Sequence, residues 1–176
     1  INIFFKRQFL VGLNRIYNIG HNYFMKSIEG NFENKEVNDL LLNHFKELKS
    51  VSPEGSAHVL DIPGLKVSTI KFWSLWEDNN LIGCGALKFL EKGHGEFKSI
   101  RVLDQFRKKG YGHKILSHLI EESKKLKIKK LSLETGAGDF FLPARKLFKK
   151  IGFKECPPFA HYKLDPNSCY MSKDID

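Results

Sequence analysis

The segment Arg107-Lys108-Lys109-Gly110-Tyr111-Gly112 constrains this chain more than any other stretch, because it lies between a β-like run, residues 96–103, and an amphipathic helical pattern beginning near His113. A glycine-bearing turn leading into a helix aims several unpaired backbone N–H groups, and the positive end of the helix dipole, at one place. An anion belongs there. Gly110 and Gly112 permit positive φ or close backbone approach, while Arg107, Lys108 and Lys109 add charge that meets phosphate oxygens directly. The competing reading is a basic, solvated turn that merely starts a helix. A Walker loop would end in Gly-Lys-Ser/Thr, and a dinucleotide fingerprint would carry a third glycine and a later acidic residue; neither is in place.

Apolar periodicity supplies the frame around this segment. Val37, Leu40, Leu41, His44, Phe45 and Leu48 repeat at three and four residues, predicting a helix from near Asn34 to before Pro53, with His44 as a hydrogen-bonded residue at the core edge. Residues 52–69 are turn-rich. Residues 69–77 read as a strand, Asp78-Asn79-Asn80 as a hairpin turn, and residues 81–90 as the returning strand, with Trp73 and Trp76 as packing residues. Gly93, His94 and Gly95 read as the next turn. His94, His113 and His118 read as ordinary turn or helix residues. Ile115, Leu116, Leu119, Ile120 and Leu126 mark a helix over residues 113–127. Residues 131–134 form a short strand, Pro143 opens a helix that Gly152 ends, and residues 153–156 and 168–172 are the last strands. The fold class is α+β, a mixed, mostly antiparallel sheet flanked by helices.

The chain has 176 residues, one domain in size, and 41% of them are hydrophobic. Its net charge of +9 is scattered over helix faces rather than interleaved with aromatics, which argues against a nucleic-acid platform. Cys84, Cys156 and Cys169 lie far apart with no C-x-x-C pair, so no metal is expected and a reducing, cytoplasmic setting fits. No apolar run has the length of a membrane span. Residues 1–24 are aromatic, basic and free of acidic residues, and are read as an N-terminal extension preceding a domain over residues 25–176.

The arginine–glycine segment resembles the acetyl-coenzyme A pyrophosphate loop of the GNAT superfamily of N-acetyltransferases, Arg/Gln-x-x-Gly-x-Gly/Ala, with Arg107, Gly110 and Gly112 in register. The resemblance extends through CGALKFL and GEFKSIRVL before the loop, and through KKLSLETGAG and PARKLFKKIGFKEC after it, over residues 70–153 in the family's order. PFAHYKLDPNSCYM, near the end, is similar to a bacterial branch. The resemblance implies acetyl-CoA as cosubstrate and transfer to a primary amine of a small molecule or a peptide N-terminus. It leaves homodimer formation open. The backbone of Ile100, Arg101 and Val102 is implied to hold the pantetheine arm, and residues 107–112, including Lys108, Lys109 and Tyr111, the pyrophosphate. The alternative is a non-catalytic acyl-CoA-binding module.

Acetyl transfer needs a held thioester, a deprotonated amine and a stabilised oxyanion. An extended strand running back from Val102 to Glu96 covers roughly 20 Å at about 3.3 Å per residue, the scale of a pantetheine arm. Glu96 is therefore the candidate general base, in register with a strand glutamate used that way in some members; a solvated residue or a partner of Lys98 is the competing reading. Glu134 is the rival carboxylate, with an acceptor-binding role. Where many members carry a tyrosine as acid for the leaving thiolate this chain has Phe148, and Phe141 stands where an asparagine is common. Tyr162, Cys156 or water remains as the acid, or the thiolate leaves without one.

Overall fold

The computed structural model describes residues 25–91 and 93–175; the extension over residues 1–24 lies outside them. The elements run β1 (Met25–Glu29), α1 (Lys35–Val51), α2 (Ile62–Leu65), β2 (Ile70–Glu77), β3 (Asn80–Glu91), β4 (His94–Val102), α3 (Tyr111–Lys125), β5 (Lys130–Gly136), α4 (Leu142–Lys150), β6 (Lys154–Glu155) and β7 (Ser168–Asp174). One sheet orders the strands β1-β2-β3-β4-β5-β7-β6. Every neighbouring pair is antiparallel except β4 and β5.

Local chemistry accounts for the boundaries. Asn34 caps α1 by accepting from the Val37 N–H, and the helix stops at Ser52, ahead of Pro53. Asp78 and Asn79 both take positive φ, as a two-residue hairpin loop with the twist of its strands requires. Gly93 is at the next turn, but His94 and Gly95, expected beside it, already belong to β4 and pair with Lys130 and Leu131. Gly95 is needed for packing rather than turning, since a Cβ there would sit 2.6 Å from Leu87 Cδ1. The edge strand β1, the short α2 and the 3-10 turns Asp104–Phe106 and Asp139–Phe141 are additions to the expected elements.

Strand alternation builds two cores, one on each face of the sheet. Trp73, Leu75, Phe97, Leu131 and Leu133 pack with Ile115, Leu116 and Leu119 of α3 and Phe148 of α4. On the other face Phe72 and Trp76 pack with Val37, Leu40 and Leu41 of α1 and Leu65 of α2. Among the described residues no helix is long and apolar enough to cross a membrane.

Candidate active site

The sheet opens where its one parallel pair ends. β4 and β5 are paired only from His94↔Lys130 to Phe97↔Leu133, although β4 continues to Val102 and β5 to Gly136. Residues 98–102 therefore keep β3 on one side and lose β5 on the other. A bulge helps to turn them: the register against β3 jumps between Cys84↔Arg101 and Ala86↔Lys98, and Ser99 takes φ +50°. A cavity of about 600 Å³ fills the opening, with Lys98 to Val102 on one side, Leu133 to Gly136 on the other, and the 107–113 loop at one end.

That end has the form of an anion site. Lys108 and Gly110 have φ of +60° and +85°, and among the described residues no side chain caps α3, so the positive end of its dipole faces the cavity without a capping oxygen. A Cβ on Gly112 would come 2.8 Å from Leu147 Cδ2, so glycine lets the helix start close to α4. Arg107, Lys108, His113 and Lys150 line the wall. Lys109 and Tyr111 send their side chains elsewhere, Lys109 over the Phe106 ring and Tyr111 to the Glu77 carboxylate, so their share in such a site is through the backbone. Arg101 likewise commits its guanidinium, to Glu47 of α1 and at 3.2 Å to Asp104, while its backbone lies along the opening.

The other end carries the carboxylates. By alternation Glu96 and Lys98 share the face of β4 opposite α3, next to Glu134 of β5, and the loop carrying Phe159 and Tyr162 lies over that face. Glu96 is 0% exposed, so it is not a solvated strand residue. Its Oε1 accepts from the Tyr162 hydroxyl at 2.6 Å and lies 3.2 Å from Lys98 Nζ, which also donates to the Tyr162 hydroxyl at 2.8 Å. Its Oε2 has no hydrogen-bond partner among the described residues. Burial, then the Glu96 charge and the hydrogen bond to it, drives the Tyr162 phenol far above its usual range, fixing it as a donor. Glu134 and Lys98 are on the cavity wall, whereas Glu96 and Tyr162 lie behind it. Burial also raises the Glu134 carboxyl, partly offset by the 2.7 Å hydrogen bond from Ser168 and by the charges of His58 and Lys98.

Phe148 borders the cavity and also packs edge-on against Phe153 in the core, and Phe141 presses its ring on Gly136. His44 is buried on the wall, at the core edge as expected, and its Nδ1 has no hydrogen-bond partner among the described residues. Burial, with Arg101 and Arg107 nearby, lowers it to about 4. His94, at the far end of β4, bonds Ser132 at 2.8 Å. Cys156 is half-buried and takes no part in the cavity wall. Lys98 and His58 were not marked as site residues by the sequence. The i, i+2 spacing of Glu96 and Lys98 puts them on one strand face, but Tyr162, which joins them, is 64 residues from Lys98.

A sheet parted around a cavity, with a helix-start anion site at one end and buried carboxylates at the other, defines an acyl-transfer enzyme. The chain belongs to the GNAT family of acetyltransferases, whose sequence model matches residues 37–153, and is an acetyl-CoA-dependent N-acetyltransferase. It is 44% identical over 141 residues to the uncharacterized N-acetyltransferase YsnE of Bacillus subtilis, covering 80% of this chain and 93% of that one. To the uncharacterized N-acetyltransferase YedL of Escherichia coli it is 40% identical over 136 residues, 77% of this chain and 86% of the relative. The fold matches a Bacillus subtilis acetyltransferase solved in complex with CoA, with a TM-score of 0.64 at 20% identity, over 86% of this chain and 99% of that one.

Proposed function

We propose that this acetyltransferase acts in the cytoplasm on a primary amine, of a small molecule or a peptide N-terminus, by direct transfer from acetyl-CoA. The observation that carries the acceptor class is the pair of carboxylates beside the strand opening. Glu134, on the wall, receives the incoming amine. Glu96, behind it, has an oxygen without a partner among the described residues to take the proton the nitrogen sheds, through one bridging water. Tyr162 holds Glu96 in place and relays the proton.

The backbone along Ile100, Arg101 and Val102 and the loop of Arg107, Lys108, Lys109, Gly110, Tyr111 and Gly112 hold the donor. Support for the donor site comes from the unpaired edge of β4 and the uncapped start of α3. The domain over residues 25–176 is the working unit, and a homodimer is compatible with it. Thiol release from acetyl-CoA across a panel of amino acids, polyamines and short peptides, with mass analysis of the product, tests the acceptor. A product acetylated on nitrogen is expected. Acetylation on oxygen alone, or turnover with no amine in the panel, would overturn the acceptor class.

A further inference from the structure

We propose that Lys98 is a catalytic residue, the proton donor and counter-charge for the departing thiolate, closing a proton circuit with Tyr162 and Glu96. The inference rests on the base role given to Glu96 above. The residue at 148 is a phenylalanine and offers no proton. Tyr162 has its hydroxyl hydrogen directed to Glu96 at 2.6 Å, away from any leaving group, which removes it as the terminal acid.

Among the described groups on the wall, Lys98 is the one that both donates to the Tyr162 hydroxyl and pairs with Glu96. It is on the wall at the first position where β4 has lost β5, its side chain is 9% exposed, and its Nζ lies 2.8 Å from the Tyr162 hydroxyl and 3.2 Å from Glu96 Oε1. An ammonium in a dry site stabilises developing negative charge far better than in water.

The step balances within these three side chains. With the acceptor nitrogen entering as the free amine, the C–N bond forms as the C–S bond breaks, one proton leaves nitrogen for Glu96, and one proton leaves the Lys98 ammonium for sulfur. Glu96 then passes its proton to the Tyr162 oxygen as the Tyr162 proton moves to the Lys98 amine. The cycle ends with amide and thiol, and the three side chains are restored without a proton drawn from solvent.

Titrating the thiol of bound CoA, by thiolate absorbance, tests this without turnover. The charged and titratable groups facing Lys98 are Glu96 of its own strand, Glu134 of β5, and Tyr162 and His58 of the covering loops. Lys98→Met removes the ammonium, and the bound thiol should then ionise at higher pH than in the wild type, by about one to three pH units. Glu96→Gln removes the offsetting carboxylate, and the thiol should ionise at lower pH than in the wild type. Identical titration in the wild type and Lys98→Met overturns the proposal. Should Lys98→Met fail to fold or to hold CoA, Glu96→Gln decides alone: a thiol that titrates as in the wild type, or higher, overturns it. A Glu96→Gln enzyme that turns over at the wild-type rate would instead sink the base reading and leave the Lys98 titration standing.

Discussion

Glu96 and Glu134 sit on neighbouring strands and differ in what holds them. Glu96 is sealed behind the wall with one oxygen engaged by Tyr162 and Lys98, while Glu134 faces the cavity and accepts one hydrogen bond, from Ser168. Their substitutions should therefore separate in kinetics. Glu96→Gln keeps shape but removes a proton acceptor, so kcat should fall about 100- to 10,000-fold with CoA affinity intact. Glu134→Gln should mainly raise KM for the amine. Because burial raises the Glu134 carboxyl, it protonates at higher pH than an ordinary carboxylate, and amine KM in the wild type should climb on mild acidification. That climb should be absent in Glu134→Gln. A common kcat loss in both variants with unchanged KM would count against the division of roles.

At the scale of elements, the loop between β4 and α3 gives the cleanest test of the donor site. Gly110 has φ +85° but open space around a would-be Cβ, and aspartate tolerates that backbone better than most residues. Gly110→Asp should thus fold, at a cost of about 1 kcal/mol, while its charge repels a phosphate. CoA affinity measured by calorimetry should drop at least tenfold; an unchanged value in a folded variant removes the loop from the donor site. Much at this scale was legible in the chain. Helix α1 announces itself by spacing and its Asn34 cap, α3 by spacing alone, and the hairpin by Asp78-Asn79. β1 was not legible because MKSIE is a short edge strand, held by pairing with β2 rather than by alternation. The loss of the β4–β5 ladder after Phe97 cannot be read from spacing, since it depends on two strands more than thirty residues apart; the family resemblance alone points to a free backbone at Ile100 to Val102. For the same reason Glu96 could be found from its position on a strand, whereas Lys98 became visible only when Tyr162 folded over it.

Across the whole molecule the two cores meet acid in the same way, since each contains a buried, neutral histidine. His44 lies between α1 and the β4 end, close to Arg101 and Arg107, and His118 lies on α3 beside the Trp73 ring, with burial lowering both. For His44 the folded value is about 4 against 6.5 for the free side chain. Between those values the unfolded chain binds a proton that the folded chain does not, so the stability present above pH 6.5 is lost as pH falls toward about 4. At 1.36 kcal/mol per unit, His44 alone is responsible for a loss of order 3 kcal/mol. Glu134 runs the other way, because its raised carboxyl binds a proton more readily folded than unfolded. His44→Gln removes the largest histidine contribution while keeping a polar side chain on the wall. Urea unfolding of both proteins at intervals from pH 7 to 4 should show the wild type losing stability more steeply than His44→Gln, the curves drawing together at the acid end. Parallel curves would mean that His44 is protonated as easily in the fold as outside it, and that α1 does not close over it as tightly as its burial requires.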